Sequence, residues 1–338
     1  MMLRAALITR PYEVKVIERD IPEVKENEVL ISVRACGICG SDLHIYRGRH
    51  PFVKEPRIPG HEFSGIVVEG DEYSKGERVT VEPLIPCGKC ELCRRGEYNV
   101  CRSLKVLGVH VDGAMAEYVK VPKSRVFKLP KSLGFEEGAL VEPLAVAVHV
   151  VKRAGIKLGD DVFIIGAGPI GLLILQVAKA VGARRIFISD VIDYRLDVAE
   201  KLGADYIINP TRDDVIQTIA SLTKYRGIDV TIEVAGARDT LYQALKVTRP
   251  HGKVVVVGFF EDEIVGVSAT DIVAKELYIV GSRVYWHDFP VALELMSTRT
   301  IDVKKIITHK LPLSMAKRAF EIADKKEENA LKVLVFPS

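Results

Sequence analysis

No apolar run in this sequence is long enough to cross a bilayer. The longest, residues 162–175, has 14 residues and is broken by glycines, whereas a spanning helix needs ~18. A signal-peptide core is missing too, because Met1-Met2-Leu3-Arg4 is soon followed by charged Arg10 and Glu13; the expected location is the cytoplasm. Charge of one sign is in short supply. Lys plus Arg number 48 against 45 Asp plus Glu, a net of +3, too even for a nucleic-acid stripe or a polybasic membrane anchor. The expected partner is therefore a small molecule. No Pro/Gly/Ser tract or single-charge block marks disorder, and with 48% hydrophobic and 28% charged residues the whole chain should fold. Amides are scarce, three Gln and four Asn beside abundant Lys, Arg and Glu, a composition that fits a thermophile.

The 338 residues make about two domains at ~150 residues each. Short strand-like stretches at 28–33, 65–68, 78–81 and 116–121, punctuated by Gly and Pro, read as an all-β unit. From Asp161 the rhythm changes. Apolar strands at 162–165, 186–189, 206–208, 229–233 and 253–257 alternate with helical patterns such as 170–181 and 194–202, which implies a doubly wound α/β domain. After 275 the pattern loosens, and the closing strand 332–336 has no βα partner, so this tail is assigned back to the first domain. The expected division is 1–145 plus 276–338, and 146–275.

Directly after the strand 162–165 stands Gly166-Ala167-Gly168-Pro169-Ile170-Gly171, opening a helix. At a strand-to-helix turn such glycines permit tight turning, backbone approach to a pyrophosphate and close helix packing. The next strand ends in Asp190, where a carboxylate can accept both ribose hydroxyls of NAD and would repel the 2′-phosphate of NADP. The plainer alternative is a glycine turn and a helix-capping Asp.

All six cysteines fall in two groups. Cys87, Cys90, Cys93 and Cys101 place four thiolates within the lobe 86–102, enough for a closed tetrahedral zinc site bracing a loop that lacks its own core. Disulfides are disfavoured in the cytosol, and an iron–sulfur run would want three residues and then Cys-Pro where Cys101 follows after seven and precedes Arg102. The other pair, Cys36 and Cys39, lies in Ala35-Cys36-Gly37-Ile38-Cys39-Gly40-Ser41-Asp42-Leu43-His44. Alone it reads as a redox motif or as packed thiols. Gly60-His61-Glu62 and Glu142-Pro143 add the imidazole and carboxylate of a zinc with an exchangeable position.

The order of these motifs, with Val141-Glu142-Pro143-Leu144, resembles the zinc-dependent medium-chain alcohol/polyol dehydrogenases over essentially the whole chain, and most of all their polyol, sugar-acid and threonine branch. The resemblance implies a GroES-like β-rich catalytic domain, a Rossmann NAD domain, two zinc ions per chain and a homo-oligomer, tetramer or dimer. It assigns the catalytic zinc to Cys39, His61 and either Glu62 or Glu142, the proton relay to Ser41 and His44, and nucleotide contacts to Ile170, Asp190, Arg195, Val257, Gly258, Phe259, Ser282 and Arg283. Cys36 has no matching role and is expected to be a packed thiol. The expected reaction passes hydride from a secondary alcohol of a polyol or sugar acid to NAD. Threonine 3-dehydrogenases usually read Glu-Pro-Phe-Gly-Asn where this chain has Glu142-Pro143-Leu144-Ala145-Val146, and threonine is the alternative substrate. A zinc-free quinone or enoyl reductase has no use for Cys39, His61 and Glu142, and a zinc-ribbon module with a nucleotide-sensing domain explains only the four-cysteine lobe and the glycine turn. Two zincs per chain favour the dehydrogenase over either. The segment 47–57, with Arg47, Arg49, Lys54 and Arg57, is either a solvated charged loop or an anion-binding lip.

Overall fold

The computed structural model of the chain describes residues 2–53, 55–70, 73–260 and 266–338. They form two compact units, Met1–Glu142 with Phe289–Ser338, and Pro143–Asp288. Among the described residues no helix is long and apolar enough to cross a membrane.

The first unit opens with the antiparallel hairpin Met2–Arg10 and Glu13–Asp20. Its main sheet runs Ile307–Pro312, Lys332–Phe336, Glu28–Gly37, Glu62–Glu69, Arg78–Val81, Val126–Lys128, with Tyr118–Pro122 also paired to Glu28–Gly37. Glu28–Gly37 is central and accordingly apolar, with Val29, Ile31 and Val33 buried. The strands expected at 28–33 and 65–68 are longer, and the added residues matter: Cys36 pairs with Phe63 and Gly37 with Glu62. That register puts the loop after Gly37 beside the residues just before Phe63. In the C-terminal tail, Ala316–Lys325 connects the parallel strands Ile307–Pro312 and Lys332–Phe336. Its Ala316, Ala319 and Phe320 recur at helical spacing and are buried, the left-handed Lys326 (φ 56) ends it, and Phe320→Ala would cost about 3–5 kcal/mol.

The second unit is a six-stranded parallel sheet in the order Tyr206–Ile208, Arg185–Ser189, Asp161–Ile165, Ile228–Glu233, Thr248–Val256, Tyr278–Gly281. Its core gathers Phe163, Phe187, Ile228, Leu245 and Val254. The sequential order reverses between Asp161–Ile165 and Ile228–Glu233, the crevice where doubly wound sheets bind ligands. The chain returns to the first unit at Phe289, where the sequence reading placed the return at 276. Tyr278–Gly281 is the reason, a sixth strand on the outer edge whose Tyr278 and Ile279 stay 58% and 42% exposed. The first boundary falls after Glu142, inside the helix Val141–Ala154, rather than after 145.

Candidate active site

In the first unit, Cys39 stands two residues beyond the strand Glu28–Gly37 and is the N-cap of the helix Gly40–Tyr46. Because Gly37 faces Glu62 across the sheet, the ligand atoms of Cys39, His61 and Glu62 come within 4.8 Å of one another. Asp42 holds this corner together. Fully buried, it accepts the Cys39 amide at 2.9 Å and the Gly60 amide at 3.2 Å, and its Oδ1 lies 3.5 Å from His61 Nδ1, which has no hydrogen-bond partner among the described residues. The remaining ring nitrogen, Nε2, is 3.4 Å from Ser41 Oγ. Burial resists the Asp42 charge, but His61 and the two amides outweigh it and keep the carboxyl below its ordinary range. A carboxylate behind an imidazole, with a thiolate and a second carboxylate beside it, is the donor set of a zinc that keeps one place open, so these residues fit the metal.

The carboxylate in this group is Glu62; Glu142, though buried, is not among the three. Glu62 is also gripped by Lys332, whose Nζ donates to its two oxygens at 2.8 and 2.7 Å and to the Ile38 carbonyl at 3.2 Å. Burial would strip the proton from Lys332, only 2% exposed; Glu62, Cys39 and Glu142 overrule it and raise the pKa. Cys36 is a buried thiol pushed well up by desolvation. Ser41 and His44 stand three apart in Gly40–Tyr46, on one helix face.

The four lobe cysteines converge without bonding to one another. Their sulfurs are 3.5 Å (Cys90 to Cys93) and 3.9 Å (Cys87 to Cys93, Cys90 to Cys101) apart. A tetrahedron with ~2.3 Å zinc–sulfur bonds has edges of about 3.8 Å, so the cage fits zinc and is far too wide for a disulfide. A backbone amide at Cys93 favours the Cys90 thiolate and lowers its pKa to about 6.

In the second unit the expected nucleotide residues stand at the carboxyl ends of parallel strands. Gly166 follows Asp161–Ile165 with φ +112, and Gly168 caps the helix Pro169–Ala180, with Ile170 in its first turn. A Cβ on Gly171 would sit 1.9 Å from the Gly166 carbonyl, which makes that glycine obligatory. Asp190 follows Arg185–Ser189; its Oδ2 accepts the Ala167 amide at 2.9 Å and lies 3.6 Å from Arg195 Nη1. Val257, Gly258 and Phe259 follow Thr248–Val256, and Ser282 and Arg283 follow Tyr278–Gly281. A turn too tight for side chains, a helix N-terminus and a carboxylate at the next strand's end suit a dinucleotide.

Sequence reasoning missed three residues. Asp42 had a local signal, an acid three positions after an N-cap. Lys332 had only its oddity as a charge opening an apolar strand. Glu233 ends Ile228–Glu233 and accepts from the Ala235 and Gly236 amides at 3.0 and 2.8 Å, fixing the turn beside the glycines, while burial raises its carboxyl pKa. The basic segment 47–57 is partly neutralised: Arg47 donates to Asp324 at 2.6 Å and Arg57 to Asp112 at 3.1 Å. Lys54 lies outside the described residues.

Comparison with known proteins gives the family. Residues 25–131 match the alcohol dehydrogenase GroES-like domain, and residues 169–298 the zinc-binding dehydrogenase domain. The chain is 37% identical to the sorbitol dehydrogenase of Bacillus subtilis, over 99% of this chain and 98% of that one. It is 41% identical to the L-threonine 3-dehydrogenase of Pyrococcus horikoshii, over 90% of each. The crystal structure of the RspB alcohol dehydrogenase of Escherichia coli CFT073, complexed with NADH, superposes with a TM-score of 0.93 at 35% identity, covering 99% of each chain. With a GroES-like unit that carries two groups of donors able to hold a metal ion and a doubly wound parallel-sheet unit, the chain belongs to the zinc-dependent medium-chain dehydrogenases and is an oxidoreductase.

Proposed function

We propose that the protein oxidises a secondary alcohol of a polyol or sugar acid with NAD. The observation that supports this most is the meeting of Cys39, His61 and Glu62 beside Ser41. When bound, zinc supplies the Lewis acidity that makes an alcohol hydroxyl acidic near neutral pH, and nicotinamide supplies the hydride acceptor. Cys39, His61 and Glu62 would hold the catalytic metal, with Glu142 as the alternative carboxylate, and Cys87, Cys90, Cys93 and Cys101 would hold a second, structural zinc. Ser41 takes the hydroxyl proton, and His44, one helical turn further along the same face, passes it to solvent. Asp42 keeps the His61 imidazole in the tautomer and orientation that a metal ligand needs. Lys332 donates to both Glu62 oxygens and so fixes that carboxylate and shares its charge.

The glycines from 166 to 171 and Asp190 select NAD, with Arg195, Val257, Gly258, Phe259, Ser282 and Arg283 completing the nucleotide contacts. Two carboxylates near the metal, Glu62 and Glu142, favour a hydroxyl-rich ligand over a short primary alcohol. We place the enzyme in the cytoplasm of a heat-adapted cell as a homo-oligomer, tetramer or dimer. The outer edge of Tyr278–Gly281, unpaired among the described residues and bearing exposed Tyr278 and Ile279, supports self-association. The likeness to threonine dehydrogenases supports L-threonine as a second reading. Absorbance of NADH with polyols, aldonates and L-threonine tests both. The highest kcat/KM should go to a polyol or aldonate, and if threonine exceeds them all, the second reading replaces the first.

A further inference from the structure

At the end of the second unit's sheet opposite the glycine turn, an open surface concavity of about 360 Å³ is lined by Arg184, Arg185, Thr223, Lys224 and Arg226 with Leu222. Arg185 and Asp161 begin their strands, and the glycine turn begins after the last residue of Asp161–Ile165. Four residue steps of ~3.3 Å put the two places about 13 Å apart, so this cavity is no part of the nucleotide site.

Its guanidiniums are fixed from behind. Asp161, fully buried, accepts from Arg184 Nε and Nη2 at 2.9 and 2.7 Å, from Arg185 Nε and Nη2 at 3.1 and 2.5 Å, and from Arg226 Nη2 at 2.6 Å. Asp229 accepts from Arg226 Nη1 and Nη2 at 2.9 and 2.8 Å and from Arg249 Nε at 2.6 Å. Four arginines thus share two carboxylates. With Lys224 the cluster has five cations against two anions, although charges of one sign repel and an isolated stability network gains nothing from the surplus. Arg184 and Arg226 remain 52% and 41% exposed, and among the described residues the Arg184 Nη1 and Arg226 Nε have no protein acceptor. Lys224 and Tyr225 both adopt left-handed backbone (φ 51 and 62), a turn that sets the lysine on the rim. Rigid guanidinium forks with N–H groups that have no protein acceptor, set beside an open concavity, match the oxygens of a phosphate-type anion.

We propose that this cavity is a second anion site, taking phosphate or pyrophosphate groups independently of the nucleotide and rigidifying the nucleotide-binding unit when filled. Pyrophosphate is titrated calorimetrically into the zinc-loaded protein saturated with NADH, which blocks the glycine turn, at ionic strength held constant with chloride. The expected result is saturable binding with one site per chain and a dose-dependent rise in Tm. Lys224→Ala and Arg184→Ala remove exposed cations, leave Asp161 with at least two arginines, and should each weaken binding about tenfold while dehydrogenase activity without pyrophosphate is unchanged. No saturable binding under these conditions overturns the proposal. So does binding of equal strength in both variants, which would locate the anion elsewhere. Arg226→Ala is not needed for the test, so a failure of that variant to fold would not affect the outcome.

Discussion

Asp190→Ala and Arg195→Ala should move cofactor choice in opposite directions. Asp190 is held at the end of its strand by two amides, Ala167 at 2.9 Å and Ile192 at 3.0 Å, with Arg195 Nη1 at 3.6 Å and Arg195 Nε buried without an acceptor. A charged hydrogen bond from a ribose hydroxyl to Asp190 contributes about 1.5–3 kcal/mol and exists only for NAD. Against NADP, two unit charges 4 Å apart repel by about 4 kcal/mol at an effective dielectric of ~20, and Arg195 offsets most of this by attracting the same phosphate. The net, about 2–4 kcal/mol, predicts a preference for NAD of roughly 30- to 1000-fold. Asp190→Ala should shrink it by about 30-fold or more, because it removes the ribose acceptor and frees Arg195 for the phosphate. Arg195→Ala should enlarge it. The readout is the ratio of kcat/KM for NAD to that for NADP; either value alone is uninformative, since losing Asp190 also loosens the Ala167 turn for both cofactors. Equal use of the two by the parent, or a smaller ratio in Arg195→Ala, would refute the reasoning.

Cys39→Ser should abolish turnover and leave NADH binding, followed by nucleotide fluorescence, nearly unchanged; full activity in a zinc-free sample would contradict the assignment. Replacing Cys87, Cys90, Cys93 or Cys101 by Ser should lower bound zinc from two to one per chain by elemental analysis and reduce Tm, and a variant that melts like the parent would remove the lobe as a structural site. Asp161→Asn should destabilise at pH 7 by about 2 kcal/mol, below the usual value for a broken buried pair because Arg184 and Arg226 are more than a third exposed. Burial pushes the Asp161 and Asp229 carboxyls up, but their arginines hold both low, Asp229 at about 2. Stability from such depressed groups is complete above the unfolded pKa of ~3.9 and is lost as pH falls through the folded values. The gap between parent and Asp161→Asn in urea midpoint should therefore close below about pH 4, and a constant gap down to pH 2 would show that charge is not its source.

The parts of this protein legible from its amino acids are those whose chemistry is local along the chain. The glycine turn is a run of six residues whose backbone has no room for side chains, and the four-cysteine lobe is a loop that closes on itself; in both, spacing already dictates geometry. The buried strand Asp161–Ile165 shows as the apolar run 162–165, as strands buried on both faces do, whereas Ile228–Glu233 is wholly buried although Asp229, Thr231 and Glu233 alternate with its apolar residues. Tyr278–Gly281 escaped that reading because an edge strand is only half covered. Beyond these local features, tertiary structure decides. Which carboxylate joins Cys39 and His61 depends on the register that sets Gly37 against Glu62, a matter of sheet pairing that no motif encodes. Lys332 reaches Glu62 across 270 positions of chain because the C-terminal strand Lys332–Phe336 docks beside Glu28–Gly37. Two of the cations in segment 47–57 are paired by acids remote in sequence, Arg47 by Asp324 and Arg57 by Asp112. Long-range pairs like these exist only once the sheet has formed, because a charge can be buried only where folding brings its partner.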